Sequence, residues 1–365
     1  MPEILKKAGR VLLRIFLRTL LVIFTAALLV LGGLCLVCNM IFNGPSPAAR
    51  DVLTMSMLES SAMKWCPAVF IGEEMVENIR AEVSIPLPEE VSDASQIIIS
   101  DVSSNVVTDE WKDYPDGIRI DTIYGDTYTA YVMVVRDPGS VYLATSSKHF
   151  SIDVSGTRIH NQIETEGALA AVNAGAFNDD GTTGSYIGNL PIGLTVSEGE
   201  ILWNDGESYY GFAGFTDDNV LVVARTMTAE KAKQMNIRDG CCFGPVLIMN
   251  GIVNDTEFSG NSGYNPRTAI GQRADGAVIF VCVDGRQTGS LGATYADLIN
   301  IMMEYGAVNA CNLDGGASSV MLYRDTYGRY GEPGKVAMIN NHAMLQEHPR
   351  KMPTFFMVRP AEGEE

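Results

Sequence analysis

A run of residues without any charge, from Thr19 to Ile41, constrains this 365-residue chain more than any other feature of its sequence. As an α-helix the run is about 34 Å long, which is enough to cross a bilayer core of about 30 Å. A cleaved signal peptide is the alternative, but its apolar core has only about 7–15 residues, and Pro45–Ala49 is a weak cleavage site. We therefore predict an uncleaved transmembrane helix over residues 19–42.

Basic residues lie on one side of this span only. Residues 1–18 contain five lysines and arginines and a single acid, Glu3. Because the cytoplasmic flanks of membrane helices are enriched in Lys and Arg, we predict that 1–18 is a cytoplasmic basic segment and that the chain after Phe42 is outside. The predicted localisation is the cell membrane, with a single pass and an extracytoplasmic C-terminal domain.

The chain is strongly acidic, with 44 Asp and Glu against 26 Lys and Arg and a net charge of −18. Since five of the basic residues precede the apolar span, the exported part is more acidic still. Nucleic acid is excluded as a partner, because binding through phosphate contacts needs a basic face. A small basic site for a single phosphate is compatible with this charge.

Behind the span, the sequence divides into a helical region and a strand-rich domain. Residues 43–95 are predicted to be a juxtamembrane helical region, with apolar residues at helical spacing between 50 and 82, followed by a proline- and acid-rich linker. Residues 96–360 predict one α+β domain, a strand-rich mixed sheet with a βαβ unit, preceded by the one transmembrane helix. The runs interpreted as strands are Tyr128–Val135, Ser140–Thr145, Ala168–Val172, Val220–Ala224, Val246–Met249, Thr268–Ile270, Ala277–Val283, Val308–Leu313, Ser319–Leu322 and Thr354–Val358, and the helices are Thr228–Met235 and Thr294–Tyr305.

Several familiar catalytic and metal-binding motifs are missing from the sequence. The four histidines have no metal-ligand spacing, and no Cys-x-x-Cys pair follows the apolar span. The motifs Gly-x-Ser-x-Gly, His-Glu-x-x-His and Gly-Lys-Ser/Thr are also absent, which disfavours serine hydrolases, zinc proteases and P-loop nucleotidases. Cys282 and Cys311 lie in apolar runs, where we expect buried, unreactive side chains.

The densest chemical signal lies between residues 277 and 319. Two apolar runs end in Asp284-Gly-Arg286 and in Asn312-Leu-Asp314-Gly-Gly316, with a predicted helix between them. A crossover of this length fits parallel strands, whose carboxyl ends meet at one edge of a sheet, so the two aspartates are candidates for one crevice. Two carboxylates at one site suit glycoside hydrolysis. A single Asp-Gly turn such as Asp275-Gly276 has no such implication.

Neighbouring segments offer groups that suit a sugar phosphate. The planar guanidinium of arginine binds phosphate through two hydrogen bonds, so Arg267 and Arg286 are candidates for a cationic site. Gly315 and Gly316 allow the backbone to approach a ligand closely, and Ser318 adds a hydroxyl.

The order of these motifs resembles that of the phosphodiester glycosidase family. The resemblance extends from about residue 168 to residue 358, and it implies hydrolysis of a sugar, with N-acetylglucosamine as the candidate, that is linked through its anomeric carbon to a phosphodiester. Two positions depart from the family pattern: Ala176 replaces a common aromatic residue, and Ala317 replaces a frequent third glycine. The matching segments are Asn173-Ala-Gly175, Pro191-Ile-Gly-Leu194, Gly244-Pro-Val-Leu247 with Asn250-Gly251, Pro266-Arg-Thr268, Val283-Asp-Gly-Arg286, Gly292-Ala-Thr294 and Asn312-Leu-Asp-Gly-Gly316.

The resemblance also implies a set of site residues. Two arginines hold the phosphodiester, and one aspartate stabilises the anomeric centre, attacks it or activates water. The substrate is then a sugar phosphate or glycopolymer of the cell envelope or of exopolysaccharide. The predicted catalytic residues are Asp284 and Asp314, and the predicted substrate-binding residues are Asn173, Gly175, Arg267, Thr268, Arg286, Thr294, Asn312, Gly315, Gly316 and Ser318.

Two other functions remain open. The domain is alternatively a non-catalytic carbohydrate-binding module at the cell surface, in which Asp284, Asn312 and Asp314 hold a divalent cation such as Ca²⁺ or Mg²⁺ through oxygen ligands. It is alternatively a scaffold in envelope assembly, with the helices at 50–82 binding a membrane partner. Apart from that cation, the sequence predicts no cofactor.

Overall fold

The computed structural model describes residues 2–60, 63–82, 91–99, 109–178, 187–206, 211–254, 262–342 and 349–360. Most of the predicted linker, with Pro86, Pro88, Glu89 and Glu90, lies outside these ranges, as does His348.

The apolar run forms one continuous helix, α1, from Pro2 to Phe42. Its segment Leu13–Phe42 has a mean hydropathy of 2.8, and none of its most apolar stretch is buried in the protein. Among the described residues this is the one helix with the length and composition to cross a membrane, which are also those of a signal sequence. The apolar helix predicted from the sequence is therefore confirmed.

Three short helices follow α1, as the helical spacing between 50 and 82 predicts. They are α2 (Pro47–Leu58), α3 (Cys66–Ile71) and α4 (Glu73–Glu82). Pro67, which interrupts the sequence pattern, lies in the first turn of α3, where a missing N–H breaks no helical hydrogen bond. Phe42 at the end of α1 is buried with Met57 of α2 and stacks on Phe70 of α3 at 5.2 Å between ring centres. The helices α2 and α3 are therefore packed on the last turns of α1.

The rest of the described chain is strand-rich, with three further helices. Every predicted strand and helix of the domain is present, with ends that differ by a few residues. The strands are β1 (Ile118–Tyr124), β2 (Thr129–Val135), β3 (Val141–Thr145), β4 (Ala170–Asn173), β5 (Leu194–Ser197), β6 (Glu200–Asn204), β7 (Gly211–Thr216), β8 (Leu221–Ala224), β9 (Ile237–Phe243), β10 (Val246–Met249), β11 (Ile252–Val253), β12 (Arg267–Arg273), β13 (Val278–Val283), β14 (Ala307–Leu313), β15 (Met321–Arg324), β16 (Val336–Met338) and β17 (Thr354–Val358), and the helices are α5 (Ile159–Glu166), α6 (Ala229–Gln234) and α7 (Tyr295–Glu304).

The strands form three sheets, in the orders β1-β2-β13-β12-β14-β10-β11, β16-β15-β4-β17-β3 and β6-β5-β9-β7-β8. The expectation of a mixed sheet is not met, since every pairing between these described strands is antiparallel. The strands β13 and β14 nevertheless run parallel to each other, because both pair with β12 between them. The crossover through α7 therefore skips one strand position and still brings both carboxyl ends to one edge.

Aromatic side chains from all three sheets meet in the main core. Phe356 of β17 lies 6.1 Å from the ring of Phe280 on β13 and 6.3 Å from the ring of Phe215 on β7. The outer face of the seven-stranded sheet is covered by α7, whose Leu298 and Met302 are fully buried. Buried apolar area on both faces of this sheet holds β12, β13 and β14 rigidly in place.

Two features of the strands were not predicted from the sequence. The turn at Asp137 joins β2 and β3, which lie in different sheets, so this turn redirects the chain from one sheet to another. Polar β6 and the Gly- and Cys-containing β9 lack a continuous apolar run, which is why the sequence pattern missed them. Cys282 and Cys311 are fully buried free thiols, as expected.

Candidate active site

The backbone of Asn265-Pro-Arg267 lies at the centre of the candidate site. The loop after β14 contacts it through Gly316 N, which donates to Pro266 O at 2.8 Å. The loop after β13 contacts it at Gly285, where a Cβ would lie 2.6 Å from Pro266 N. A Cβ at Gly292 would lie 2.4 Å from Asn265 C. These glycines are needed because two loops and the turn before α7 all pack against one segment of backbone.

The strand register places the two aspartates on either side of this segment. On β12, Thr268 is opposite Cys282 of β13 and opposite Leu313 of β14. Asp284 and Asp314 follow at the same edge. Their backbones are about 10 Å apart across the sheet, since two strand spacings of roughly 4.8 Å separate β13 from β14. The sequence prediction that both aspartates reach one edge is therefore supported by the register.

Asp284 is buried, and both its carboxylate oxygens accept hydrogen bonds. Oδ1 accepts from Asn341 N at 2.9 Å, and Oδ2 accepts from Asn341 Nδ2 at 2.8 Å and from Tyr131 Oη at 3.3 Å. Burial raises the pKa of Asp284, although the bonds from Asn341 and Tyr131 oppose that rise. The backbone carbonyl of Asp284 also accepts from Ser290 Oγ at 2.7 Å. Sequence analysis missed these three partners, because none of them lies in a recognisable motif.

Asp314 is half-buried and is held by the end of β4. Its N–H donates to Ala174 O at 2.9 Å, and its carbonyl accepts from Asn173 Nδ2. One carboxylate oxygen accepts from Gly315 N at 2.9 Å. The Asn173 motif therefore contributes to the site by positioning the Asp314 loop.

Arg267 is a buried cation whose guanidinium holds several loops together through hydrogen bonds. Its Nε donates to Ala293 O at 2.7 Å, and its Nη2 donates to the carbonyls of Ser262 and Gly263 at 3.1 and 3.0 Å. The guanidinium carbon lies 3.9 Å from the ring centre of Tyr295. Arg267 is only 2% exposed, so Nη1 is the part of this side chain that is left to bind a further anion.

That anion is Glu59, the residue that ends α2. Its Oε2 lies 3.0 Å from Arg267 Nη1, and its Oε1 accepts from Tyr295 Oη at 3.1 Å. Arg286 Nη2 donates to the Glu59 carbonyl at 3.3 Å. Burial tends to lower the pKa of Arg267, but the Glu59 carboxylate and Tyr295 outweigh it and raise that pKa. The helical region that follows α1 therefore reaches the candidate site through Glu59.

Arg286 lies between the two aspartate loops. Its backbone has a φ of +56°. Residues other than Gly rarely adopt this conformation, and it often occurs at functional sites. Its Nη2 donates to Asn265 Oδ1 at 2.7 Å. A Cβ built on Gly316 would lie 3.2 Å from Arg286 Nη1, so this guanidinium lies directly beside the Asp314-Gly-Gly loop.

Three of the predicted substrate-binding residues use their side chains inside the protein. Asn173 Oδ1 accepts from Thr268 Oγ1 at 2.8 Å and from Val320 N at 3.1 Å. Thr294 Oγ1 donates to Asp297 Oδ2 and accepts from Asp297 N, which makes Thr294 the N-cap of α7. These contacts position the loops, and direct sugar binding by these residues stays a prediction.

Among the other predicted residues, Asn312 and Ser318 have buried polar atoms to which a ligand could bind. Asn312 donates from Nδ2 to Gly244 O at 2.8 Å, while its Oδ1 has no hydrogen-bond partner within the described chain. Gly175 packs against β9, where a Cβ would meet Cys241 Cβ at 2.9 Å. Buried polar atoms are nearly always paired, so unpaired ones mark places for water or ligand. The unpaired buried atoms in the loops around the two aspartates are Asn265 Nδ2, Asn312 Oδ1, Ser318 Oγ, Ser319 Oγ and His342 Nδ1.

The described residues do not favour a divalent cation at the aspartates. No group of three or more His, Cys, Asp or Glu side chains in the described ranges is arranged to hold a metal ion. Asp284 accepts from N–H and O–H donors at both oxygens, and these donors would have to leave before a cation could bind. The donor set of Asp284, Asn312 and Asp314 therefore fits the cation-binding alternative poorly.

The sequence of this chain is similar to those of known proteins. The sequence profile of the phosphodiester glycosidase family matches residues 166–359. The chain is 28% identical over 201 residues to the SPbeta prophage-derived uncharacterized protein YomE of Bacillus subtilis, a match that covers 52% of this chain and 28% of that protein. It is 27% identical over 180 residues to N-acetylglucosamine-1-phosphodiester alpha-N-acetylglucosaminidase of Mus musculus, which covers 45% of this chain and 33% of that enzyme.

The fold has a solved counterpart. The catalytic domain of the zebrafish N-acetylglucosamine-1-phosphodiester alpha-N-acetylglucosaminidase, in a form auto-inhibited by its pro-peptide, superposes with a TM-score of 0.51 at 21% identity, covering 67% of this chain and 82% of that domain. This chain spans about a third or less of the length of the curated relatives that it matches. Because the family profile covers more than half of the chain, this protein belongs to the phosphodiester glycosidase family.

Proposed function

We propose that this protein is a membrane-anchored extracytoplasmic glycosidase that hydrolyses a sugar linked through its anomeric carbon to a phosphodiester, in cell-envelope or exopolysaccharide metabolism. The observation that supports this most directly is the meeting of the Asp284 and Asp314 loops on Asn265-Pro-Arg267, with Arg286 between them. A pair of carboxylates beside cations matches a reaction in which positive charge develops on a sugar while a phosphate leaves.

The position of the substrate's phosphodiester is suggested by Glu59. Its carboxylate binds Arg267 Nη1 and Tyr295 Oη, and its carbonyl binds Arg286. A phosphodiester also carries one negative charge on paired oxygens, so it can accept hydrogen bonds from the same arginine and tyrosine donors. Binding of substrate in this way requires the Glu59 carboxylate to leave the arginines.

The two aspartates are assigned different tasks by their surroundings. Asp314 is half-buried, whereas Asp284 is only 2% exposed, so Asp314 is the carboxylate that a sugar can approach. We assign to it attack on the anomeric carbon or activation of water. Asp284 is held at both oxygens and stabilises the oxocarbenium-like centre by its charge. The leaving phosphate is a weak base, so little protonation is required.

The test is the release of reducing sugar by the full chain from UDP-GlcNAc, with Asp284→Asn and Asp314→Asn made separately. Each change is expected to lower kcat by about 100-fold or more, since each removes a charged group from the reacting centre. The matched control is Asp275→Asn, the Asp-Gly turn between β12 and β13, whose side chain forms an ion pair with Arg273 at the surface. It should retain full activity.

Wild-type rates in both site variants, with folding verified by thermal unfolding, would overturn the proposal. Binding of wall polymer without turnover would instead favour the carbohydrate-binding module, and loss of that binding on addition of EDTA would favour its cation.

The anchored, extracytoplasmic location is also a proposal. It is supported by the exposed apolar surface of Leu13–Phe42 and by the basic residues that precede it, which favour a cytoplasmic N-terminus. Protease added outside intact cells should digest the domain after Phe42, and protection of that domain would contradict this orientation.

A further inference from the structure

We propose that the substrate of this site is borne by the membrane: a sugar phosphodiester whose second ester is a lipid in the bilayer crossed by α1. The inference rests on the proposed glycosidase function and on the proposed membrane anchor, and it goes further by naming the group on the far side of the phosphate. It is carried by three features of the described chain, which are the height of the arginines above α1, the exposed face of α3 and the distribution of charge.

The arginines lie close to the end of α1. Met57 of α2 is buried against Phe42, the last residue of α1. Glu59, only two residues further along the chain, contacts Arg267 and Arg286. Two residues extend at most about 7 Å, so the arginines are within roughly 15 Å of the end of the apolar helix. The headgroup layer on each side of a bilayer is about 5–8 Å thick. The site therefore lies at or just above the level of lipid phosphates.

A second contact fixes this height. Tyr264 N, three residues before Arg267, donates to Ser56 Oγ at 2.9 Å, and a Cβ at Gly263 would lie 2.5 Å from Ser56 N. The segment that precedes β12 is therefore pressed against α2, which itself packs on α1. Because these two backbones are in contact, the domain cannot move away from α2, and so from the bilayer, without breaking the contact between Tyr264 and Ser56.

The helix α3 presents an apolar face beside the end of α1. Its Phe70 stacks on Phe42, while Val69 of α3 and the preceding Met63 and Trp65 are 69%, 44% and 64% exposed. Because the stacking of Phe70 on Phe42 joins this segment to the last turn of α1, a bilayer that surrounds α1 would also reach these side chains. Tryptophan is enriched at the boundary between lipid and water, because its ring is apolar and its N–H is polar. The face therefore places α3 in the outer interface.

The distribution of charge selects which part of a lipid binds. The chain carries a net charge of −18, so most of the domain repels anionic headgroups. Arg267 and Arg286 form a local cationic spot at the interface, and the phosphate of a lipid-linked sugar has one negative charge at that depth. The sugar then extends into the aqueous site, where Asp284 and Asp314 lie.

The reaction balances without any further reagent. Water adds its oxygen to the anomeric carbon, and the bond between that carbon and the phosphate oxygen breaks. The phosphate departs with the bonding electrons, takes up the proton that water releases, and remains in the bilayer as a lipid phosphate monoester, while the free reducing sugar enters the water.

The experiment uses the full chain reconstituted in phosphatidylcholine vesicles with two probes. One is N-acetylglucosamine 1-phosphate esterified to hexadecanol and inserted in the same vesicles, and the other is the water-soluble methyl ester. Confinement to one surface raises the effective concentration, so we expect kcat/KM to favour the hexadecyl probe by about tenfold or more. The double variant Trp65→Ser with Val69→Ser leaves α1 in the bilayer but removes the apolar contact of the α3 segment with the interface, so it should lose part of this preference and keep the wild-type rate on the methyl ester.

Equal rates on the two probes, or loss of both rates in the double variant, would overturn this inference and leave the glycosidase proposal intact. No turnover of either probe would overturn both. Fluorescence gives a readout without activity: lipids brominated near the headgroup should quench a component of the emission that is missing from Trp65→Phe. Identical quenching of the wild type and Trp65→Phe would show that α3 is not in the interface.

Discussion

The carboxylate of Glu59 lies 3.0 Å from Nη1 of Arg267, although 208 residues separate them in the chain. This ion pair joins the end of α2, the helix that follows α1, to the start of β12 at the centre of the candidate site. It places an anion of the protein where we propose that an anionic substrate binds.

Replacement of Glu59 should therefore improve binding and weaken the fold together. In Glu59→Gln, substrate no longer displaces a carboxylate, and we expect KM to fall by about fivefold, because the fraction of open site rises. The unfolding free energy should fall by ~1–3 kcal/mol, because Arg267 loses the charged partner of a buried cation.

The control for this change is Glu77→Gln on α4. Glu77 pairs with Arg80, but both side chains are more than half exposed, so neither KM nor thermal stability should move measurably. A rise in KM for Glu59→Gln, measured by initial rates, would show that Glu59 assists substrate binding.

The hydrogen bond from Tyr131 to Asp284 should be visible in the pH dependence. This bond stabilises the ionised carboxylate, so Tyr131→Phe raises the already elevated pKa of Asp284. If ionised Asp284 is required, the acidic limb of the kcat/KM profile moves to higher pH. Tyr124→Phe, at an 80% exposed tyrosine of β1, should leave the profile unchanged. A shift to lower pH in Tyr131→Phe would contradict the assignment.

Gly316 should be required both for its positive φ and for the space that it leaves beside Arg286. It has a φ of +61°, and a Cβ there would lie 3.2 Å from Arg286 Nη1. Gly316→Ala should cost ~1–2 kcal/mol of stability, the cost of a left-handed residue, and should also lower activity by displacing Arg286.

Gly306→Ala separates these two effects. Gly306 has a φ of +80°, but its nearest neighbour would be 4.0 Å from an added Cβ. It should show a similar loss in thermal unfolding with normal kcat/KM. Equal activity in the two alanine variants would mean that the position of Arg286 does not matter.

Thr294 should act through the helix that it caps. Its hydroxyl both donates to and accepts from Asp297, and we expect Thr294→Ala to cost ~1 kcal/mol with little change in KM. The matched control is Thr228→Ala, which removes the equivalent cap of α6. A large rise in KM for Thr294→Ala alone would support the earlier prediction that this residue contacts the sugar.

Much of the site framework follows from local sequence. The apolar runs of β13 and β14, the N-cap at Thr294 and the strand-end positions of Asp284 and Asp314 are all read from a few adjacent residues. Local patterns succeed here because burial of a strand and capping of a helix depend on side chains within one element.

The partners of those residues follow only from the tertiary structure. Tyr131 and Asn341 converge on Asp284 from separations of 153 and 57 residues, and neither lies in a pattern of its own. Arg267, expected to hold phosphate, uses most of its guanidinium for protein carbonyls, because the loops around it bring those carbonyls within hydrogen-bonding distance.

The sequence by itself determined the apolar helix, because the run Thr19–Ile41 carries no charge and is long enough to form one continuous apolar helix. It also determined that two aspartates end two strands of the same direction. Only the tertiary structure decided that β12 lies between those strands and that α2 places Glu59 against Arg267. The physical reason is that such pairings depend on how distant apolar surfaces pack, and that packing is a property of the whole chain.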